Sequence, residues 1–134
     1  GDLESAKSFV TLAVGKTDAT PYLRSEAKRY EAKYLFAIGR FDDGRKSFEA
    51  AQATFGSTPA SAMARTYIQS DLLLFEYSLG DCNKAREQFE KFVEMLRGPG
   101  VFPQARQQMA STVKGQLLQM QGQHCPEIPG LANL

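Results

Sequence analysis

Apolar residues recur along this chain at intervals of three and four, the spacing that places side chains on one face of an α-helix. No segment alternates apolar and polar positions with the period of two that is typical of a strand. The stripes predict about six helices, over residues 2–14, 20–39, 42–55, 59–79, 82–97 and 103–121. We therefore expect an all-α protein whose helical domain covers residues 1–122. Prolines and a glycine exclude regular structure in the tail, 123–134.

Local start signals support three of these helices. A hydroxyl residue followed by proline, in Thr20–Pro21 and in Thr58–Pro59, places a capping side chain before a first-turn proline. Asp42 or Asp43 is expected to cap the helix between them. The aromatic residues on the apolar stripes are expected to form the core, and they are Phe48, Phe55, Phe75, Phe89 and Phe92.

The chain contains an internal repeat. A shift of 41 residues superposes turn positions on turn positions and stripe positions on stripe positions. The matched pairs are Gly39 and Gly80, Ile38 and Leu79, Tyr34 and Phe75, Gly44 and Ala85, Phe48 and Phe89, Ala51 and Phe92, and Phe55 and Leu96. Each repeated hairpin has an apolar face that it cannot bury alone, so stacking of neighbours closes the core. The repeat predicts a right-handed α-solenoid of stacked antiparallel helical hairpins.

The residue types within the repeat resemble those of the tetratricopeptide-repeat family. The resemblance rests on the turn glycine, then Phe41, a small residue at Gly44 and Ala85, an aromatic one at Phe48 and Phe89, and a small one at Ala51. It covers residues 2–121, although the period of 41 to 42 residues exceeds the family's period of about 34. The family implies a protein-binding module, in which the first helix of each hairpin lines a concave groove.

Counting back from the turn glycines places a set of side chains on that concave surface. The groove residues implied in this way are Arg29, Lys33, Phe36, Tyr67, Ser70, Tyr77, Gln116 and Gln119. Tyrosines beside cations suit an extended or helical peptide, because rigid amphipathic rings give contact area at little entropic cost. The alternative is a solvated face with partly packed tyrosines. The family's carboxylate clamp is disfavoured, because Lys33 is followed at the equivalent positions by Leu74 and Gln116 instead of the required Lys and Asn.

The chain has two cysteines, Cys82 and Cys125. In an antiparallel stack both would lie at the same edge, on neighbouring helices, so a disulfide bridge between them is geometrically allowed. Two ordinary thiols are the alternative. A bridge would imply an oxidising compartment, periplasmic or extracellular, whereas free thiols would favour a cytoplasmic location.

Charge and motif content argue against several classes of function. The net charge is +1, and the cations of residues 28–46 are interleaved with acidic residues, so we expect no nucleic-acid partner. No apolar run is long enough to insert into a membrane. The single histidine, His124, has neither catalytic neighbours nor metal-ligand spacing with the two cysteines. We expect neither an enzyme nor a metal or other cofactor.

The sequence thus predicts a protein–protein interaction module, an adaptor or scaffold that binds a peptide or protein segment in a concave groove. It would form part of a larger bacterial envelope or regulatory protein. The main alternative is a ligand-sensing regulatory domain of a signalling or transcription protein. A third is a subunit that forms homo-oligomers through its terminal helices.

Overall fold

The structure, a computed structural model, describes residues 20–56, 58–120, 125, 130, 131 and 134. These residues form five α-helices and one 3-10 turn, and no strand occurs among them, so the all-α prediction is confirmed. The elements are α1 (Pro21–Ala37), α2 (Phe41–Ala53), the 3-10 turn (Pro59–Ser61), α3 (Ala62–Leu79), α4 (Cys82–Leu96) and α5 (Pro103–Met120). The helix expected over 2–14 and most of the tail expected over 123–134 lie outside the described residues.

The helices follow the 41-residue register of the repeat. The first helices α1, α3 and α5 begin at residues 21, 62 and 103, and the second helices α2 and α4 begin at residues 41 and 82. The starts of α3, α4 and α5 are therefore each 41 residues after the equivalent start in the preceding copy. The hairpin turns also agree, because Gly39 and Gly80 adopt φ angles of 86° and 82°. Glycine reaches this left-handed region without the steric cost of a Cβ atom.

The chain divides into two compact units, Gly1–Thr58 (unit 1) and Pro59–Leu134 (unit 2). In unit 1, α1 and α2 form a hairpin whose core includes the fully buried Phe48 and Ala51. Gly44 allows close approach of the two helices, since a Cβ atom there would lie 2.7 Å from the Phe36 ring. The Ser25 hydroxyl spans the same interface and donates a 3.0 Å hydrogen bond to the carbonyl oxygen of Ala51.

In unit 2, α3 and α4 form the second hairpin, and α5 packs against α3. One stripe of α5, Met109, Val113 and Leu117, is buried, whereas most of the remaining surface of this helix is exposed. The stripe joins a core that contains Leu73, Tyr77, Ala85, Phe89, Phe92 and Leu96, and that is completed by Cys125 and Leu131. Burial of each large apolar side chain contributes about 1.5 to 3 kcal/mol, so α5 is held mainly through three residues.

Several local predictions can be compared with these elements. Thr20 caps α1 as expected, because its hydroxyl accepts a 3.2 Å hydrogen bond from the Leu23 amide. The prediction that Asp42 or Asp43 caps α2 is wrong. Helix α2 begins at Phe41 with no side-chain cap, and the two carboxylates instead pair with arginines within three residues of them.

The start of α3 also differs from the expectation. The Thr58–Pro59 signal leads into a single 3-10 turn before the α-helix begins at Ala62, and Ser61 makes no capping hydrogen bond with its side chain. Of the predicted core aromatics, Phe48, Phe89 and Phe92 are buried. Phe55 and Phe75 are only half-buried, which corrects their assignment as core residues.

Candidate functional site

Helix α1 supplies three of the predicted groove residues, and two of them lie on the surface of unit 1. The Arg29 guanidinium is 3.4 Å from the Glu26 carboxylate, and both side chains are partly exposed. The Lys33 ammonium lies 5.6 Å from the centroid of the Tyr30 ring, a cation–π geometry. These four side chains form one amphipathic surface of α1.

Phe36 is not available to a groove. It is buried, and its ring centroid lies 5.9 Å from that of Phe41 and 5.8 Å from that of Phe48. Tyr77, which is 41 residues further along the chain, is likewise buried in the core of unit 2. Both copies of this position therefore belong to the core of their hairpin, which corrects the placement of these two residues on a concave surface.

The remaining groove residues belong to unit 2 and differ in accessibility. Tyr67 on α3 is 45% exposed. Ser70 is nearly buried, and its hydroxyl donates a 2.6 Å hydrogen bond to the Tyr67 carbonyl oxygen of its own helix. Gln116 and Gln119 on α5 are exposed. A partner could thus reach Tyr67 and the two glutamines, but not the Ser70 hydroxyl.

The 41-residue register identifies a surface that counting back from the turns only partly found. Among the positions of the first helices that are unburied in all three copies, four are spaced four, four and three residues apart, which places them on one side of each helix. We call the surface that these positions form on each helix the open face of that helix. It consists of Glu26, Tyr30, Tyr34 and Ala37 on α1, of Tyr67, Asp71, Phe75 and Ser78 on α3, and of Gln108, Thr112, Gln116 and Gln119 on α5. The open face is identified by comparing the burial of equivalent positions in the three copies of the repeat and by their spacing along each helix.

The chemical character of the open face changes from helix to helix. On α1 and α3 it carries the aromatic residues Tyr30, Tyr34, Tyr67 and Phe75, none of which is fully buried. On α5 it carries only amides and a hydroxyl. A shallow groove of about 350 Å³ runs along this part of α5 and is lined by Gln104, Gln107, Gln108, Ser111 and Thr112.

Besides Arg29, three basic residues in the described part of unit 1 are paired with acidic neighbours. Lys28 lies 3.2 Å from Glu31, and the equivalent distances are 2.6 Å for Arg40 and Asp43 and 2.7 Å for Arg45 and Asp42. All three pairs join residues three apart, and their side chains are at least partly exposed. Such pairs contribute little to stability, and they also dilute the field that a polyanion would meet.

The loop between α4 and α5 is tightly held. Gly100 adopts a φ angle of 92°, and a Cβ atom at this position would overlap the Pro59 carbonyl oxygen. Val101 is buried, whereas Phe102 is 70% exposed. The Arg106 guanidinium donates hydrogen bonds to the carbonyl oxygens of Leu96 at 2.7 Å and of Val101 at 3.4 Å. The loop therefore presents Phe102 from a backbone fixed on both sides.

A disulfide bond joins Cys82, the first residue of α4, to Cys125, with a Cα–Cα distance of 5.5 Å. This confirms the pairing that the helix order allowed. Cys125 is buried, and its carbonyl oxygen accepts a 3.5 Å hydrogen bond from the Tyr77 hydroxyl. Burial raises the pKa of Tyr77 above its usual value of 10.0, because the charged phenolate would lose its hydration.

The described part of the chain has neither a cluster of metal ligands nor a helix suited to a membrane. Within it, no group of three or more His, Cys, Asp and Glu side chains is arranged to hold a metal ion. None of its helices combines the length and the apolar character that crossing a bilayer requires. His124 lies outside the described residues.

Comparison with known proteins gives no match to a family model, to a curated protein or to a solved structure. The resemblance to tetratricopeptide repeats therefore stays a prediction, based on the repeated residue types and on the hairpin register.

Proposed function

We propose that this protein is a helical-repeat interaction module that binds a peptide or a protein segment along the open face of its first helices. The observation that supports the proposal is the open face itself. The same four register positions are unburied in α1, α3 and α5, although several of them carry aromatic side chains. Aromatic residues at accessible positions of a rigid scaffold are the usual energetic centres of protein interfaces.

The proposal revises the residues expected to contact a partner. Tyr67, Gln116 and Gln119 remain on the open face, and Arg29 and Lys33 remain beside it on α1, because each is at least partly exposed. The buried Phe36 and Tyr77 are replaced by Tyr34 and Phe75, which are partly exposed on the same helices. Stacking of the hairpins into a right-handed solenoid belongs to the same proposal, and in unit 2 it is supported by the packing of α5 against α3.

We further propose an oxidising compartment, periplasmic or extracellular, as the place of action. The support is the disulfide between Cys82 and Cys125, since disulfides persist in such compartments and are rare in a reducing cytosol. Alkylation of thiols in freshly lysed source cells, with and without prior reduction, tests this proposal. A chain that is alkylated without reduction would contradict it.

The binding proposal is tested by recovery of partners from the native compartment with wild-type and variant chains. Tyr67→Ser, and separately Arg29→Glu combined with Lys33→Glu, should each reduce recovery of a specific partner by about tenfold or more. Lys46→Glu combined with Lys91→Glu is the matched control, because it makes the same change in net charge at exposed positions of α2 and α4. Equal recovery with all variants would overturn the proposal.

A further inference from the structure

We propose that α5 binds the predicted N-terminal helix of a second copy of this chain, residues 2–14. The surface that receives it is the side of α5 that carries Gln107, Lys114 and Leu118, which we call the pairing face. None of these residues belongs to the open face, so binding there is independent of the function proposed above.

In α1 and α3 the positions equivalent to the pairing face are covered by the second helix of the same hairpin. Phe36 and Tyr77, which are equivalent to Leu118, are both buried. A Cβ atom at Gly44 would lie 2.7 Å from the Phe36 ring, so α2 packs directly on this residue. From the same side of α1, the Ser25 hydroxyl donates its hydrogen bond to the Ala51 carbonyl oxygen of α2. A second helix is therefore the cover that this protein itself uses for this side of a first helix.

The described residues place no second helix over α5. Leu118 is 49% exposed, and Gln107, which is equivalent to the buried Ser25 and Thr66, is exposed as well. A groove of about 470 Å³ lies along this side of the helix and is lined by Pro103, Arg106, Gln107, Ala110, Ser111, Lys114 and Leu134. The third copy of the repeat thus has a first helix with an open groove where its partner helix would pack.

The residues that follow α5 do not have the sequence of that missing helix. In the 41-residue register the second helix of the third copy would begin at residue 123, 41 residues after the start of α4. Pro126 and Pro129 are incompatible with the interior of such a helix. Of the described residues in this segment, Leu131 is buried in the core of unit 2 and Leu134 lines the groove. The helix that covers the pairing face has to come from another part of the sequence.

Residues 2–14 have the pattern of a second helix. The predicted helix contains 13 residues, as α2 does. Its stripe repeats the spacing and the small–large–small order of the α2 residues that pack on α1, because Ala6, Val10 and Ala13 correspond to Gly44, Phe48 and Ala51. In the same register, Ala6 of one copy would pack against Leu118 of the other, as Gly44 packs against Phe36.

The expected fit is one of shape and apolar contact. Two cations line the groove, but neither is free, because the Arg106 guanidinium bonds to backbone carbonyl oxygens and Lys114 has an interaction within the chain. The aliphatic stem of Lys114 can still pack against a docked helix beside Leu118. Because the two surfaces in contact are different, each added copy offers a further N-terminal helix and a further α5, so association is head-to-tail and open-ended.

Sedimentation velocity of the full chain, with its disulfide intact, tests the association. Over about 10 µM to 1 mM we expect the average mass to rise progressively past that of a dimer. A fluorescent peptide of residues 1–19 tests the occupant directly. Its anisotropy should rise when the full chain is added, and an excess of the unlabelled peptide should reverse both this rise and the self-association of the chain.

Two variants test the two surfaces. Leu118→Glu introduces a carboxylate on the pairing face, and Ala6→Glu introduces one on the N-terminal segment. Each should weaken self-association about tenfold or more, since the charge would be buried in the contact. The matched controls are Leu79→Glu, at a position that is 37% exposed, and Ala53→Glu, at an exposed position of α2. Both controls should stay within about twofold of the wild type. Circular dichroism verifies that each variant is folded.

An equimolar mixture of the Leu118→Glu and Ala6→Glu chains gives the sharpest result. The first chain keeps an intact N-terminal segment and the second an intact α5, so the mixture should form dimers and no larger species. A wild type that is monomeric at about 1 mM would overturn the inference. Association that Ala6→Glu leaves unchanged would also overturn it, because another segment would then occupy the pairing face. None of these variants alters the open face, so each negative result leaves the proposed binding function standing.

Discussion

Tyr77 and Phe36 occupy equivalent positions of the repeat. Tyr77 differs by its phenolic hydroxyl, which lies in the core of unit 2. Because burial raises the Tyr77 pKa, the folded chain keeps the phenol proton at a pH where the unfolded chain, with its pKa near 10.0, releases it. The folded state then binds more protons than the unfolded state, so the free energy of unfolding falls as pH rises above about 10. We expect Tyr77→Phe to remove part of this decrease in the free energy of unfolding at alkaline pH.

The measurement for Tyr77 is the urea midpoint of the wild type and of Tyr77→Phe between pH 8 and 11. At pH 8 the free energy of unfolding of the variant should be lower than that of the wild type by about 1 kcal/mol or less, because the hydrogen bond to the Cys125 carbonyl is long at 3.5 Å. At pH 11 this difference in stability between the wild type and the variant should become smaller or change sign. Tyr67→Phe is the control, because its ring is 45% exposed. Parallel pH profiles for the wild type and Tyr77→Phe would contradict the expectation.

Two glycines should respond in opposite directions to replacement by alanine. Gly100 has a φ angle of 92° and no room for a Cβ atom beside Pro59, so Gly100→Ala should lower the free energy of unfolding by about 2 kcal/mol or more. Gly115 lies inside α5, and a Cβ atom there would meet nothing within 4 Å. Gly115→Ala should raise the free energy of unfolding by about 0.5 to 1 kcal/mol.

Urea denaturation of the two variants tests both expected effects on the free energy of unfolding. Because both variants replace glycine by alanine, each serves as the control for the other. A neutral result for Gly100→Ala would mean that the loop between α4 and α5 relaxes without cost. A destabilising result for Gly115→Ala would mean that this surface of α5 is covered when the chain is in solution.

At the scale of elements, the helices were predictable because their start and stop signals act locally. Thr20 caps α1 from the position immediately before the helix, and Gly80 ends α3 in a left-handed conformation. The start of α2 was less predictable, since Asp42 and Asp43 each had an arginine within three residues and form ion pairs instead of a cap. Helix ends are decided by such competition, which spacing alone does not resolve.

The predicted groove was less accurate than the predicted helices, because a turn position does not reveal which helix face meets the neighbour. Phe36 was placed on the concave surface by its distance from Gly39. In the structure the small residue Gly44 lets α2 approach, so that the Phe36 ring packs between the two helices. Identification of the open face requires the burial of equivalent positions in α1, α3 and α5, which the sequence alone does not provide. Of the open-face residues, Gln116 and Gln119 were predicted from the sequence as groove residues, whereas Tyr34 and Phe75 were not.

Arg106 links the end of one helix to the next element. Its guanidinium bonds to the last carbonyl oxygen of α4, at Leu96, and to that of Val101 in the loop. A cation at a helix C-terminus also interacts favourably with the helix dipole. Arg106→Ala should therefore lower the free energy of unfolding by about 1.5 to 3 kcal/mol. Arg97→Ala, at an exposed position, is the control and should change it by less than about 0.5 kcal/mol.

Urea midpoints of the two arginine variants give this comparison, and Arg106→Lys refines it. Lysine keeps the charge but lacks the planar fork that reaches two acceptors, so it should restore only part of the loss. Full rescue by lysine would show that the dipole interaction dominates. Equal effects of Arg106→Ala and Arg97→Ala would contradict a specific role for the two hydrogen bonds.

Across the whole molecule, the third copy keeps the register of the repeat but not its burial pattern. The position filled by the buried Ala32 and Leu73 holds the half-buried Lys114 in α5. The position filled by the buried Phe36 and Tyr77 holds Leu118, which is 49% exposed. Helix α5 is therefore less deeply packed than α1 and α3, and depends more on its single stripe and on the covalent bond next to it.

The Cys82–Cys125 disulfide leads to a prediction about the stability of the whole chain. The disulfide spans 43 residues, which include α4 and α5, and in the chain-entropy model a loop of this size stabilises the folded state by about 4 kcal/mol. Because domains are stable by only about 5 to 15 kcal/mol, reduction should lower the urea midpoint markedly. Hydrogen exchange should accelerate more in α4 and α5 than in α1 and α2, since the closed loop lies in unit 2.

Reductant is the cleaner perturbation, because it leaves the buried Cys125 side chain in place, whereas Cys82→Ser with Cys125→Ser would add the cost of burying a hydroxyl. Thiol alkylation and mass measurement verify that reduction is complete. An unchanged urea midpoint in the fully reduced chain would show that the α5 stripe and Leu131 hold the core of unit 2 without the bond. A uniform acceleration of exchange in both units would instead show that they unfold as one cooperative block.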